Sequence, residues 1–99
     1  MKLQIQSIHF DADSKLISFI EKKLEKLETF YDRIIGGEVS LKLQSDDEKG
    51  NKIISVKLII PGGDIFVQEQ AATFEEATDN VYEILKRQLS KKKDKLTAH

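Results

Sequence analysis

Ninety-nine residues, 39% hydrophobic and 33% charged, suit a single domain over 1–99, and a formal net charge of −1 excludes an indiscriminately basic polyanion binder. The absence of cysteine removes disulfides, thiol chemistry and cysteine-based zinc sites from consideration. No apolar run is long enough to cross a membrane, and the opening residues lack the apolar core of a signal peptide, so the expected location is the cytoplasm.

Residues 2–8 alternate, with Leu3 and Ile5 on one face and Lys2, Gln4 and Gln6 on the other, which reads as a half-buried strand. Asp11, Asp13 and Ser14 offer caps for a helix reaching about Tyr31. On that helix Leu16, Ile20, Leu24, Leu27, Phe30 and Tyr31 share a face. Glu21, Glu25, Glu28 and Asp32 gather on one flank of it, and Lys15, Lys22, Lys26 and Arg33 on the other. Single-sign flanks are unusual, because four-residue pairing normally mixes signs around an exposed surface. Lys23 points near the core, its stem covering apolar surface.

Gly36-Gly37 reads as a break suited to positive φ. Three strands follow. Residues 38–44 turn Val39, Leu41 and Leu43 inward; 45–51 form a polar loop; and 52–60 turn Ile54, Val56, Leu58 and Ile60 inward. Pro61-Gly62-Gly63-Asp64 is a tight connection into a last strand over 65–72. Setting Ile60 opposite Ile65 makes Leu58 meet Val67, Ile54 meet Ala71 and Ile59 meet Phe66, and puts Glu69 inward beside Val56, through a bulge or at a sheet edge.

Thr73 and Glu76 form a capping box for a long final helix, on which Phe74, Ala77, Val81, Leu85 and Leu89 fall on one face. Acids (Glu75, Glu76, Asp79, Glu83) fill its first half and bases its second, each sign at the end whose dipole it complements. Residues 86–95 carry six bases against Asp94 alone, while the rest of the chain carries ten bases and sixteen acids. Past Leu89 the apolar stripe thins, so the last turns read as a basic rod projecting beyond the packed body.

The order β-α-β-β-β-α defines an α+β fold: a four-stranded mixed sheet with both helices on one face and the first strand parallel to its neighbour. The groove between the helices is lined with bases, and Lys2, Lys42, Lys57, Gln68 and Gln70 lie on the open face. His9, Asp11 and Asp13 alternate as metal ligands only if the first strand runs that far, and nothing completes a shell. No catalytic constellation can be assembled, so the reading is a non-enzymatic binding protein without a cofactor or small-molecule substrate. A basic groove suits RNA phosphates. Only Phe66 and Tyr82 offer themselves as exposed aromatics, which favours recognition of backbone and shape over base stacking.

The stretches KLEKLETFYDRI (23–34), GGDI (62–65) and above all LKRQLSKKKDKL (85–96) resemble the short form of the ribosome hibernation-promoting factor family, which includes the ribosome-associated translation inhibitors. The resemblance covers essentially the whole chain. It implies a dsRNA-binding-domain-like fold, and binding to the small ribosomal subunit and the 70S ribosome in the channel between head and body. There the protein would overlap messenger RNA and A- and P-site transfer RNA, inhibiting translation in resting cells. Carried over from the family motif, Lys26, Arg33, Lys86, Arg87, Lys91, Lys93 and Lys95 contact ribosomal RNA; Lys22 and Lys92 join them by helical geometry. Asp79 matches an acidic position of the family, whereas Glu75 stands where the family often has tyrosine. The acids at 46–48 are expected to face away from RNA. With the sequence ending at His99, the dimerisation domain of the long forms is expected to be absent. A competing reading is a protein-interaction module that dimerises weakly through Ile53, Ile59 and Phe66 on the outer sheet face.

Overall fold

In the computed structural model, which describes residues 1–44 and 51–97 with side chains as far as Lys92, the first alternating segment is strand β1 (Lys2–Ile8). It ends where His9 takes φ +63°, the left-handed region that turns the chain out of the sheet. Asp13 then caps helix α1 (Ser14–Glu25), its carboxylate accepting the Leu16 N–H at 2.7 Å. The expected α-helix to Tyr31 stops short. From Lys26 to Thr29 the chain tightens into a 3₁₀ turn. The Thr29 hydroxyl donates to the Lys26 carbonyl at 2.7 Å, and both the Phe30 and Tyr31 amides donate to the Leu27 carbonyl.

Strands β2 (Gly36–Leu43), β3 (Lys52–Ile60) and β4 (Gly63–Ala71) complete one sheet in the order β1-β2-β3-β4, parallel between β1 and β2 and antiparallel thereafter. The fold is the expected β-α-β-β-β-α arrangement. Its β3–β4 register differs from the expected one by two residues. Pro61 and Gly62 alone make the turn, with Gly62 at φ +87°, so Ile60 pairs with Gly63. Leu58 therefore meets Ile65, Val56 meets Val67, Ile54 meets Glu69, and Phe66 lies opposite Lys57 rather than Ile59. A two-residue shift keeps every side chain on its expected face. The ladder is unbroken past Glu69, which sits half-buried on edge strand β4 without a bulge.

Gly36 and Gly37 are not a helix-ending break. They open β2, and the close neighbours of their Cα atoms explain them: a Cβ on Gly36 would lie 2.9 Å from the Lys2 carbonyl oxygen, and one on Gly37 2.8 Å from a Leu3 methyl. The acidic positions 46–48 lie outside the described residues.

Helix α2 (Phe74–Thr97) starts with the Thr73 hydroxyl accepting the Glu76 N–H at 3.1 Å. Both helices cover one face of the sheet. Ile20, Leu24 and Leu27 meet Val81, Leu85 and Leu89 above Val39, Leu41, Ile54, Val56 and Leu58, all essentially inaccessible to water. Phe10 stacks on Phe74 with ring centroids 5.4 Å apart, tying the turn after β1 to the start of α2. Leu89 is the last fully buried residue of α2 among those with described side chains, and the helix continues to Thr97. That overhang of eight residues fits a molecule 50 Å long and only 22 × 19 Å across.

Candidate nucleic-acid interface

Two cross-helix contacts define the seam between α1 and α2. Lys23 Nζ lies 3.3 Å from an Asp79 carboxylate oxygen and 4.7 Å from the centre of the Tyr82 ring. Further along, Lys86 Nζ lies 5.0 Å from the centre of the Phe30 ring, which follows the 3₁₀ turn. The partners advance together, from 23 with 79 and 82 to 30 with 86, so the two helical segments run in the same direction. The end of the first therefore lies beside the point where α2 turns from acidic to basic.

The expected single-sign flanks of α1 acquire distinct neighbours. Lys26 sits one turn beyond Lys23 and Lys22 one turn before Lys26, so this exposed basic flank borders the seam. The acidic flank faces the other way: Glu28 accepts from the Met1 α-ammonium at 2.8 Å, beside β1. Arg33 is exposed just after Phe30.

On α2 the bases spread around the helix rather than lining one groove. Lys86 is half-buried in the seam. Arg87 and Lys91 are exposed one turn apart on the outward ridge, and Lys92 follows Leu89 on the core-facing stripe but lies past the body. Lys93 and Lys95 belong to the same overhanging stretch of helix; their side chains fall outside the described residues. The structure thus sets Lys26 and Arg33 on either side of Phe30 in sequence, at the Lys86 end of the seam, leaves Lys22 exposed next to Lys23 at the other end, and continues the positive charge along a projecting rod. Upstream, Glu75, Glu76, Asp79 and Glu83 are all exposed on the first half of α2.

Two sequence expectations change here. Lys23 does not merely lay its stem on the core: it pairs with Asp79 over Tyr82, a contact foreshadowed by the three-residue spacing of Asp79 and Tyr82. Tyr82 is buried, leaving Phe66 as the exposed aromatic of the two, on the opposite side of the sheet. The outer apolar patch also differs from the expected one. Ile53 is buried between Lys42 and Gln70 at the far end of the sheet. Ile59 instead shares its end with exposed Ile35, beside a cavity of about 260 Å³ lined also by Lys2, Gln4, Gly36 and Glu38.

Among the described residues no three His, Cys, Asp or Glu side chains come together as a metal site. The His9-Asp11-Asp13 alternation is broken by the left-handed His9, and the Asp13 carboxylate is engaged as a helix cap.

Fold and seam together define a small α+β domain with a charge-segregated layer of two parallel helices. The chain belongs to the family described as Sigma 54 modulation protein / S30EA ribosomal protein, whose model matches residues 3–97. It is 33% identical over 99 residues, the full length of both chains, to a ribosome hibernation promoting factor of Klebsiella oxytoca. Among solved structures it resembles a ribosomal subunit interface protein from Coxiella burnetii, with a TM-score of 0.82 and 26% identity over 94% of this chain and 98% of that one. The N-terminal domain of Thermus thermophilus Protein Y shares the fold, with a TM-score of 0.79 at 23% identity over 92% of this chain and 98% of that one. The resemblance expected from residues 23–34, 62–65 and 85–96 is thereby borne out.

Proposed function

We propose that this protein is a cytoplasmic, non-enzymatic ribosome hibernation factor. It binds ribosomal RNA of the small subunit in the decoding channel, where it excludes messenger RNA and A- and P-site transfer RNA and silences ribosomes in resting cells. The observation that carries this reading is the run of bases along the two parallel helical segments, Lys22, Lys26 and Arg33 on the first and Lys86, Arg87, Lys91 and Lys92 and then Lys93 and Lys95 on the second, with Lys86 seated at Phe30, between Lys26 and Arg33 in sequence, in a chain of this family. Phosphates neutralised along two helices release counterions, and the acidic remainder of the molecule orients the approach. With a net charge of −1, affinity comes from the placement of charge and not from its total.

Co-sedimentation with purified small subunits across a salt series tests it. Wild-type protein pellets with the subunit, and its log–log salt slope is roughly 0.7–0.9 per phosphate contact. Charge reversal at Lys86, Arg87, Lys91 and Lys93 abolishes pelleting while the circular dichroism spectrum stays native. Undiminished pelleting of that variant would overturn the assignment of these residues.

A second reading rests on the helix-free face, where Ile35 and Phe66 are each 62% exposed. Here a second copy of the chain would dimerise through Ile35, Ile59 and Phe66. A dimer in light scattering that Phe66→Lys dissolves, in a protein without affinity for ribosomes, belongs to this reading alone.

A further inference from the structure

The two lysines of the seam are differently placed, and the difference bears on which of them a phosphate can use. Lys23 has both an aromatic face and a carboxylate: Tyr82 beneath it and Asp79 at 3.3 Å. Lys86 has the aromatic face of Phe30 at 5.0 Å and, among the described residues, no carboxylate partner. A ring offers an ammonium one attractive surface and leaves its other donors free. A carboxylate takes the charge itself.

We infer that Phe30 is a positioning residue that holds Lys86 ready for a backbone phosphate, and that Asp79 withholds Lys23 from the same RNA. This deepens the ribosomal-RNA reading above and rests on it. A lysine confined over a ring has lost much of its rotamer freedom before the partner arrives, so less is lost on binding. Phe30 lies at the junction of the two basic runs, four residues after Lys26 and three before Arg33, both exposed. Asp79 sits at the opposite end of the seam. Its pairing takes Lys23 out of the cationic surface at that end, where Lys22 stays exposed beside it.

The test uses the full chain and small ribosomal subunits in co-sedimentation over a salt series. Phe30→Leu keeps apolar volume but removes the ring, and lowers affinity about two- to tenfold, the fold-change of having to order one long side chain on binding. Phe30→Tyr restores it. In a Lys86→Met background Phe30→Leu has no further effect, because the two residues act as one unit. Asp79→Asn releases Lys23, tightens binding at low salt and steepens the log–log slope by about one contact. In the free protein the Lys86 ε-methylene proton resonances lie upfield under the Phe30 ring, and Phe30→Leu moves them to ordinary positions.

Additive losses from Phe30→Leu and Lys86→Met, or a Phe30→Tyr variant as weak as Phe30→Leu, would overturn the role of Phe30. Unchanged or weaker binding by Asp79→Asn would overturn that of Asp79. Wild-type protein that fails to pellet at any salt overturns the ribosomal reading itself, an outcome distinct from all of these.

Discussion

Gly36 illustrates how a single atom fixes the pairing of two strands. In the parallel ladder it lies opposite Lys2, and the space a Cβ would occupy is 2.9 Å from the Lys2 carbonyl oxygen. A backbone oxygen in a ladder cannot swing aside as a side-chain tip can, so an added methyl group must push β1 from β2. Gly36→Ala is expected to destabilise the fold by about 1–3 kcal/mol, each kcal/mol lowering Tm by roughly 4–8 °C in a domain of this size. Thermal unfolding followed by circular dichroism checks this, and an unchanged Tm would show that β1 yields freely. The sequence marked the position but not its reason: a Gly-Gly pair after a helix suggests positive φ, whereas the requirement here arises only once β1 arrives from elsewhere in the chain.

The elements themselves were legible because each obeys one period. Alternation located the strands, and the 3.6-residue repeat with a cap at Asp13 or Thr73 located both helices. What periodicity could not carry was the relation between elements. The β3–β4 register follows from a turn of Pro61 and Gly62, which the apolar pattern tolerates equally in two alignments two residues apart. The seam likewise depends on how α1 is rotated against α2, so the basic flank was readable while Lys23–Asp79 and Lys86–Phe30 were not. The cap at Thr73 is local and can be tested alone. Thr73→Ala leaves the Glu76 N–H without its hydroxyl acceptor and is expected to lower stability by about 1 kcal/mol, while Thr73→Asp retains it. Urea unfolding of both variants separates the outcomes, and equal loss from alanine and aspartate would show that the hydroxyl bond contributes nothing.

At the scale of the whole molecule the charges form two ends about 20 Å apart, since fifteen residues of helix separate Glu76 from Lys91. Whether the acidic end influences a phosphate partner at the basic end is decided by screening. At physiological ionic strength the Debye length is about 8 Å, well short of that separation; near 0.01 M it is about 30 Å and exceeds it. The exposed acids at Glu75 and Glu76 should therefore orient approach without adding to binding at physiological salt. Replacing both by glutamine is expected to leave co-sedimentation with small subunits unchanged at about 0.15 M salt, and to strengthen it progressively as ionic strength falls below about 0.1 M. The paired titrations of wild type and variant would then converge at high salt and diverge at low salt. A constant ratio at every salt concentration would contradict this, because it would mean that the partner touches the acidic end directly and that the contact surface extends along the entire length of α2.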